Sequence, residues 1–241
     1  MRSIVTALIV AACLTVLTAC GPGDQEETAP AETPEATEQP GSGGLEPLGI
    51  ELPQPMFEGT PKPVDEPNVE KPRGKARPPF LAPPGTENLA LGRPVTSSDE
   101  WPIIGDLTLV TDGDKEAYQG SFVELGPGTQ WIQIDLGQTS TIYAILIWHY
   151  HAQARVYRDV IVQVSDDPDF ITGVETVFNN DHDNSSGLGV GSDKGYVETH
   201  EGKLIDCGGV EGRYVRLYSN GNSSNEVNHY IEVEVHGKPT E

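Results

Sequence analysis

The 241-residue sequence is short of cysteine, of positive charge and of helical spacing. Of its three cysteines, Cys13 and Cys20 lie near the N-terminus, so only Cys207 remains for the body of the chain. A lone thiol excludes an intradomain disulfide. In the run LIDCGGVEG, with no histidine close by in sequence, it reads as a buried, inert thiol rather than a nucleophile. Fifteen Lys and Arg stand against 37 Asp and Glu, a net charge of −22. Nucleic acid and anionic membrane surfaces both need basic patches, so this balance argues against them as partners. No G-x-S-x-G elbow, H-E-x-x-H helix, phosphate-binding loop or dinucleotide fingerprint occurs. Acidic residues are so abundant that nominating a glycosidase pair among them is uninformative. No long stretch has apolar residues at helical spacing, which leaves little for an α-helical core.

What is present first is a leader. MRSIVTALIVAACLTVLTAC carries one positive charge at Arg2, a short apolar run and small residues, the pattern of a secretory signal over residues 1–20. It ends in LTAC, which resembles a bacterial lipobox. The resemblance implies cleavage before Cys20, lipidation of that residue and, with Gly21 following, an outer-membrane anchor in a bacterial cell envelope. Residues 21–85 are rich in Pro, Glu, Thr and Gly. They carry twelve acidic and five basic groups, with little hydrophobic periodicity. Such a segment buries too little apolar area to offset its ordering entropy, so a disordered stalk is expected. Its short apolar patches LGIEL and MFEG are the candidates for docking.

Residues 86–241 have the length of one domain, and their apolar residues alternate. WIQIDLG sets Ile132, Ile134 and Leu136 against Gln133 and Asp135. DVIVQVSDD does the same with Val160, Val162 and Val164, and YIEVEVHG with Ile231, Val233 and Val235. IYAILIW is apolar on both faces, as a central strand is. Short strands broken by Gly, Asn and Asp turns point to an all-β sandwich or barrel.

Six stretches then carry a resemblance. NLALGRPVTSS, VTDGD, WIQIDLG, VIVQVSDD, GRYVRLYSNG and YIEVEVHG follow in an order and at distances similar to those of the coagulation factor V/VIII type C, or discoidin, domains. The resemblance implies a galactose-binding-like jelly-roll β-sandwich of about eight main strands. It also implies a non-enzymatic binding module, with the bacterial carbohydrate-binding members as the better comparison because the disulfide usual in eukaryotic members is missing.

Three constellations are candidates for function. VTDGDKEAY offers a tight Asp-Gly-Asp turn, and hard cations such as Ca²⁺ take carboxylate and carbonyl oxygens. By the resemblance, a structural Ca²⁺ would use the Asp112 side chain, the carbonyls of Leu109, Asp114 and Ile231, and the Glu232 carboxylate. Ala117 stands where the family often has a hydroxyl. The second constellation is IWHYHAQARVYRDV. His149 and His151 point the same way in an extended chain, and with His182, Asp183 or His229 they could form a metal centre of an enzyme. The same stretch also reads as the rim of a glycan site. Trp148, Tyr150 or Tyr157 would stack on a sugar, while His149, His151, Arg155, Asn225 and Asn228 would pair with its hydroxyls. The third is the long polar run from Val177 to Lys203, read as a solvated loop in which Asp181, Asp183, Asn184 and Asp193 could hold a second cation.

The expectation is therefore a surface-anchored, non-catalytic module that recognises a glycan or polysaccharide. A protein-binding adhesion domain and a metal-dependent enzyme built on His149 and His151 are the alternatives.

Overall fold

The structure, a computed structural model, describes residues 44–57 and 66–240. The expected signal segment 1–20, the expected lipidation site Cys20 and the first part of the expected stalk lie outside the described residues. Among the described residues eleven strands are formed: β1 (Glu46–Pro47), β2 (Leu81–Ala82), β3 (Glu87–Asn88), β4 (Val95–Ser97), β5 (Val123–Leu125), β6 (Gln130–Trp148), β7 (Ile161–Ser165), β8 (Glu175–Asn179), β9 (Lys203–Ser219), β10 (Asn228–Tyr230) and β11 (Glu232–Pro239). The one helical element among the described residues is a short 3-10 turn at Leu107–Thr111, capped by the Asp106 carboxylate accepting from Thr108 N.

The main sheet has seven strands in the order β3-β11-β6-β9-β7-β8, with β4 also on β6. All of its pairings are antiparallel. The two long strands β6 and β9 meet along two stretches, 130–135 opposite 214–219 and 140–147 opposite 203–212, with register shifts between them. Both halves send their inward residues into one core. Ile132, Ile134 and Leu136 meet Ile142, Ile145 and Ile147 there, with Val162, Val164, Val215, Leu217, Val233 and Val235. Each such side chain contributes about 1.5–3 kcal/mol on burial. β5 and β10 pair as a small second sheet that adds Val123, Leu125 and Tyr230 to the same core. This is the all-β sandwich expected from the alternation. Ile231 departs from the expected face: it falls between β10 and β11 and packs with Phe122, Leu146 and Trp148 instead.

The double-faced apolarity of IYAILIW also finds its cause. Leu146 and Trp148 face away from the main core, and on the adjoining strand Glu232 and Glu234 lie directly opposite them. All four are buried, because other segments cover this outer face. Part of the cover comes from the segment read as stalk, which corrects the boundary at residue 85. Ile50 packs on the Leu146–Trp148 cluster, and Leu48 N donates to Phe80 O beside the β1–β2 pair. Arg77 donates to the carbonyls of Glu201 and Gly202, and Glu201 accepts from Arg73 Nη2 at 2.5 Å. A few charged hydrogen bonds thus hold polypeptide that has almost no apolar periodicity. The other side of the clamp depends on Gly202, whose φ is +63 and where a Cβ would stand 2.7 Å from the Trp148 ring.

Candidate functional site

The loops at one end of the sandwich are tied together by a chain of polar and aromatic side chains. Beyond β6, the Arg155 guanidinium lies over the ring of half-buried Tyr150, 4.7 Å from its centroid. Tyr150 meets Phe122 edge-on at 5.1 Å and His229 at 5.8 Å. His229 Nδ1 accepts from Tyr157 Oη at 2.9 Å, and its Nε2 donates to Glu124 Oε2 at 3.0 Å. Burial, followed by the nearby Arg155 and His149, pushes the His229 pKa down to about 3. The ring is therefore neutral near pH 7, and the Glu124 contact is a hydrogen bond rather than an ion pair. Backbone hydrogen bonds between Glu124 and the residues Ile103 and Ile104 pin the preceding loop to the same end. That loop exposes Trp101 (84%), Ile103 (57%) and Ile104 (39%), and the turn before Phe122 exposes Tyr118 (55%). The end thus offers aromatic faces for stacking beside Glu124, Arg155 and Tyr150.

Beneath this rim lies a layer the sequence reading missed. His149 Nδ1 donates to Glu198 Oε1 at 2.6 Å, and both side chains are fully buried. His149 stacks on Tyr157 with centroids 4.2 Å apart. His149 Nε2, Glu198 Oε2 and Arg155 Nε and Nη1 have no hydrogen-bond partner among the described residues, although they are out of solvent. Glu198 comes from the run expected to be a solvated loop. That run instead drives Tyr196 and Glu198 inward, and Glu198 N is held by Arg155 O at 2.8 Å. The alternation Tyr196, Glu198, His200 in GYVETHEGK was the available signal.

Several candidates for the exposed rim are internal instead. Trp148 is fully buried on the outer sheet face, where its Nε1 donates to His200 O. His149 and Tyr157 form the buried stack just described. His151 is buried, with Nε2 donating to Lys115 O and its pKa lowered by that burial. Asn228 is buried as a backbone tie, donating to Gly126 O and Gly128 O and accepting from Gly221 N. Asn225 is exposed, but its amide oxygen closes its own turn with Asn222. Of the remaining candidates, Tyr150 is half-buried and Arg155 is buried with its guanidinium over the Tyr150 ring. Trp101 and Tyr118 were not foreseen, since only the fold shows that these aromatics stay uncovered.

The histidines do not converge as a metal centre. His149 and His151 bond to different partners, His182 is exposed, and His229 is taken by Tyr157 and Glu124. Among the described residues, the grouping of three ligand-type side chains with atoms within 4.8 Å is Asp159, Asp181 and Asp183. This overturns the geometric basis of an enzyme centred on His149 and His151. Asn184 and Asp193 stand outside the aspartate grouping, accepting from Gly189 N and Asn179 N. Both Asp181 oxygens are satisfied by the amides of Ser185 and Ser186, as in an ordinary turn.

At the Asp-Gly-Asp turn, Asp112 Oδ1 accepts from Asp114 N and Asp114 Oδ1 from Glu116 N. Glu232 is fully buried behind the turn. Its Oε2 accepts from Gly113 N at 3.2 Å, and its Oε1 has no hydrogen-bond partner among the described residues. Burial pushes its pKa up to about 9, with Asp112 and Glu234 adding to the rise. A buried carboxylate oxygen without a donor, beside a second carboxylate, suits a hard cation. Lys115 is not a substitute there, since its ammonium pairs with Glu234 at 2.6 Å.

Taken together, the structure is a β-sandwich that displays aromatic and polar groups on loops at one end. A family model described as a NedA-like, galactose-binding domain matches residues 109–217. No curated protein matches the chain in sequence. Among solved structures, it resembles a family 89 glycoside hydrolase from Clostridium perfringens (20% identity, TM-score 0.47), with 64% of this chain covered but 15% of that one. It resembles chitosan-binding module 1 of a chitosanase/glucanase from Paenibacillus sp. IK-5 at 21% identity and TM-score 0.46, covering 63% and 99%. A Streptococcus pneumoniae fucose binding module is similar at 19% identity and TM-score 0.43, covering 62% and 96%.

Proposed function

We propose that the chain is a non-catalytic carbohydrate-binding module held at a bacterial cell surface. The observation that carries this reading is exposed Trp101 and Tyr118 with half-buried Tyr150 and Glu124, backed by buried Arg155 and His229, in a chain of which residues 109–217 match a galactose-binding family model. Sugars present apolar C–H faces that stack on aromatic rings, and hydroxyls that pair with guanidinium and carboxylate groups. The module-type neighbours are named for chitosan and fucose binding, which agrees with a glycan ligand. The test is a glycan panel against the purified full chain, with a Trp101→Ala, Tyr150→Ala variant alongside. A neutral saccharide retained by the parent and released by the variant is the expected result, and silence across the panel overturns the reading.

A protein partner is the second reading, favoured by Ile103 and Ile104 exposed next to Trp101, since aliphatic side chains offer little to a sugar. Specific capture of an envelope protein, with no glycan bound, would decide for it. Two further elements belong to the proposal. A structural Ca²⁺ would be held by the carboxylates of Asp112 and Glu232 and by carbonyls of Leu109, Asp114 and Ile231, supported by the unpartnered Glu232 oxygen. The LTAC sequence supports lipidation of Cys20 and an outer-membrane anchor, tested by loss of membrane partitioning in Cys20→Ala.

A further inference from the structure

The run EKPRGKAR places Lys71, Arg73, Lys75 and Arg77 within seven residues of a chain whose net charge is −22. The fold turns this run into the wall of a cleft of about 690 Å³ whose lining does not include Trp101, Tyr118, Tyr150 or Arg155. The opposite wall is Tyr196 to Leu204, which adds Lys203 and His200. Five of the fifteen Lys and Arg therefore line one cleft, against two acidic residues, Glu70 and Glu201. Its formal charge is 5 − 2 = +3, so the rest of the chain carries −25.

The wall is fixed in place. Glu70 N donates to Gly195 O and Gly195 N to Asn68 O, while Arg73 and Arg77 close on Glu201 and Gly202 further along. These bonds occupy Arg73 and Arg77, and Lys203 lies 3.5 Å from Glu70. Lys71 and Lys75 are exposed and have no acidic partner among the described residues. Burial lowers the Arg77 pKa, opposed by the Glu201 charge and assisted by that of Arg73, so like charges share this wall. An anion seated between them would relieve that repulsion. The lining is not only charged. Pro55, Phe57, Pro72 and Leu204 supply apolar surface, and the volume is that of a small-molecule pocket rather than of one inorganic anion.

We propose that this cleft is a second saccharide site, specific for acidic sugars. A carboxylate or sulfate on the sugar pairs with Lys71 and Lys75, and the sugar's carbon face lies on Phe57 and Pro72. The sugar part of this assignment rests on the carbohydrate reading, whereas the anion part rests on the cleft alone. The cleft is built partly by Pro55, Phe57 and residues 70–77, outside the matched region 109–217.

The test is titration calorimetry of the full chain with an oligogalacturonate, with a neutral galacto-oligosaccharide of equal length and with inorganic sulfate. The acidic oligomer is expected to bind, several-fold more weakly as salt rises from about 50 to about 300 mM. Lys71→Glu, Lys75→Glu together are expected to weaken it about tenfold or more without changing the melting temperature. Trp101→Ala, Tyr150→Ala is expected to bind the acidic oligomer normally while losing any neutral glycan, so failure at the rim and failure at the cleft are distinguishable. Unchanged binding in the lysine variant, equal binding of the neutral oligomer by the Trp101→Ala, Tyr150→Ala variant, equal binding of sulfate alone, or no binding of the acidic oligomer would each overturn the proposal. So would adhesion to anionic phospholipid vesicles with none to the oligosaccharide.

Discussion

His149 Nδ1 donates to Glu198 Oε1 across 2.6 Å, and solvent reaches neither side chain. The bond ties the end of β6 to the long loop before β9, directly under the rim. Glu198→Ala leaves a buried donor without its acceptor, which costs about 3 kcal/mol in denaturant unfolding. Glu198→Gln keeps an oxygen facing His149 and loses less than about half of that. Equal losses in the two variants would mean that the bond contributes little and that only side-chain volume matters.

Trp148 and Trp101 separate stability from recognition. Trp148→Ala empties the outer-face cluster and costs about 3–5 kcal/mol. Trp101→Ala removes an exposed ring and changes stability by no more than about 0.5 kcal/mol. Glycan affinity is expected to follow the opposite order. A Trp148 variant that folds and binds poorly, beside a Trp101 variant that binds normally, would reverse the roles assigned here.

Strand periodicity made the sandwich legible. Ile132, Ile134, Leu136, Val160, Val162 and Val164 all lie in the main core, as their alternation requires. The same rule placed His149 on the face of Ile145 and Ile147, so its burial could have been read from parity. Choosing rim residues by chemical type overrode that signal. The docking of residues 44–57 and 66–85 was hidden for a different reason. Composition averaged over 65 residues describes a chain that cannot form its own core, but it is blind to a few Arg–Glu contacts that fasten the chain to another core. Exposure of Trp101 was hidden as well, because which loop remains uncovered depends on how β5 meets β10.

The clamp by Arg77 gives a local test of that docking. Arg77→Ala removes the donors to Glu201 O and Gly202 O. Hydrogen exchange at the amides of Leu48 and Glu70, which bond to Phe80 and Gly195, is expected to accelerate about tenfold or more. Amides of Ile145 and Leu217 in the central sheet are expected to keep their protection. Uniform acceleration would show that the covering segment and the sandwich open as one unit.

Glu232 links the Asp112 turn to pH and to Ca²⁺. Without a cation its pKa is raised from an ordinary 4.5 to about 9, so between those values the folded chain holds a proton that the unfolded chain releases. The sign is that of a group stabilising the fold in its protonated form: the contribution is complete below about pH 4.5 and fades as pH climbs toward 9. In chelator, stability should therefore decline from pH 5 to pH 9, and Glu232→Gln should flatten the decline. Excess Ca²⁺ should raise the melting temperature most at the alkaline end, where the ionised carboxylate is the cation's ligand, and should do so in the parent but not in Glu232→Gln. A decline in chelator that Ca²⁺ leaves untouched would remove the cation from this site while leaving the buried carboxyl in place. A flat profile in chelator would contradict the raised pKa itself.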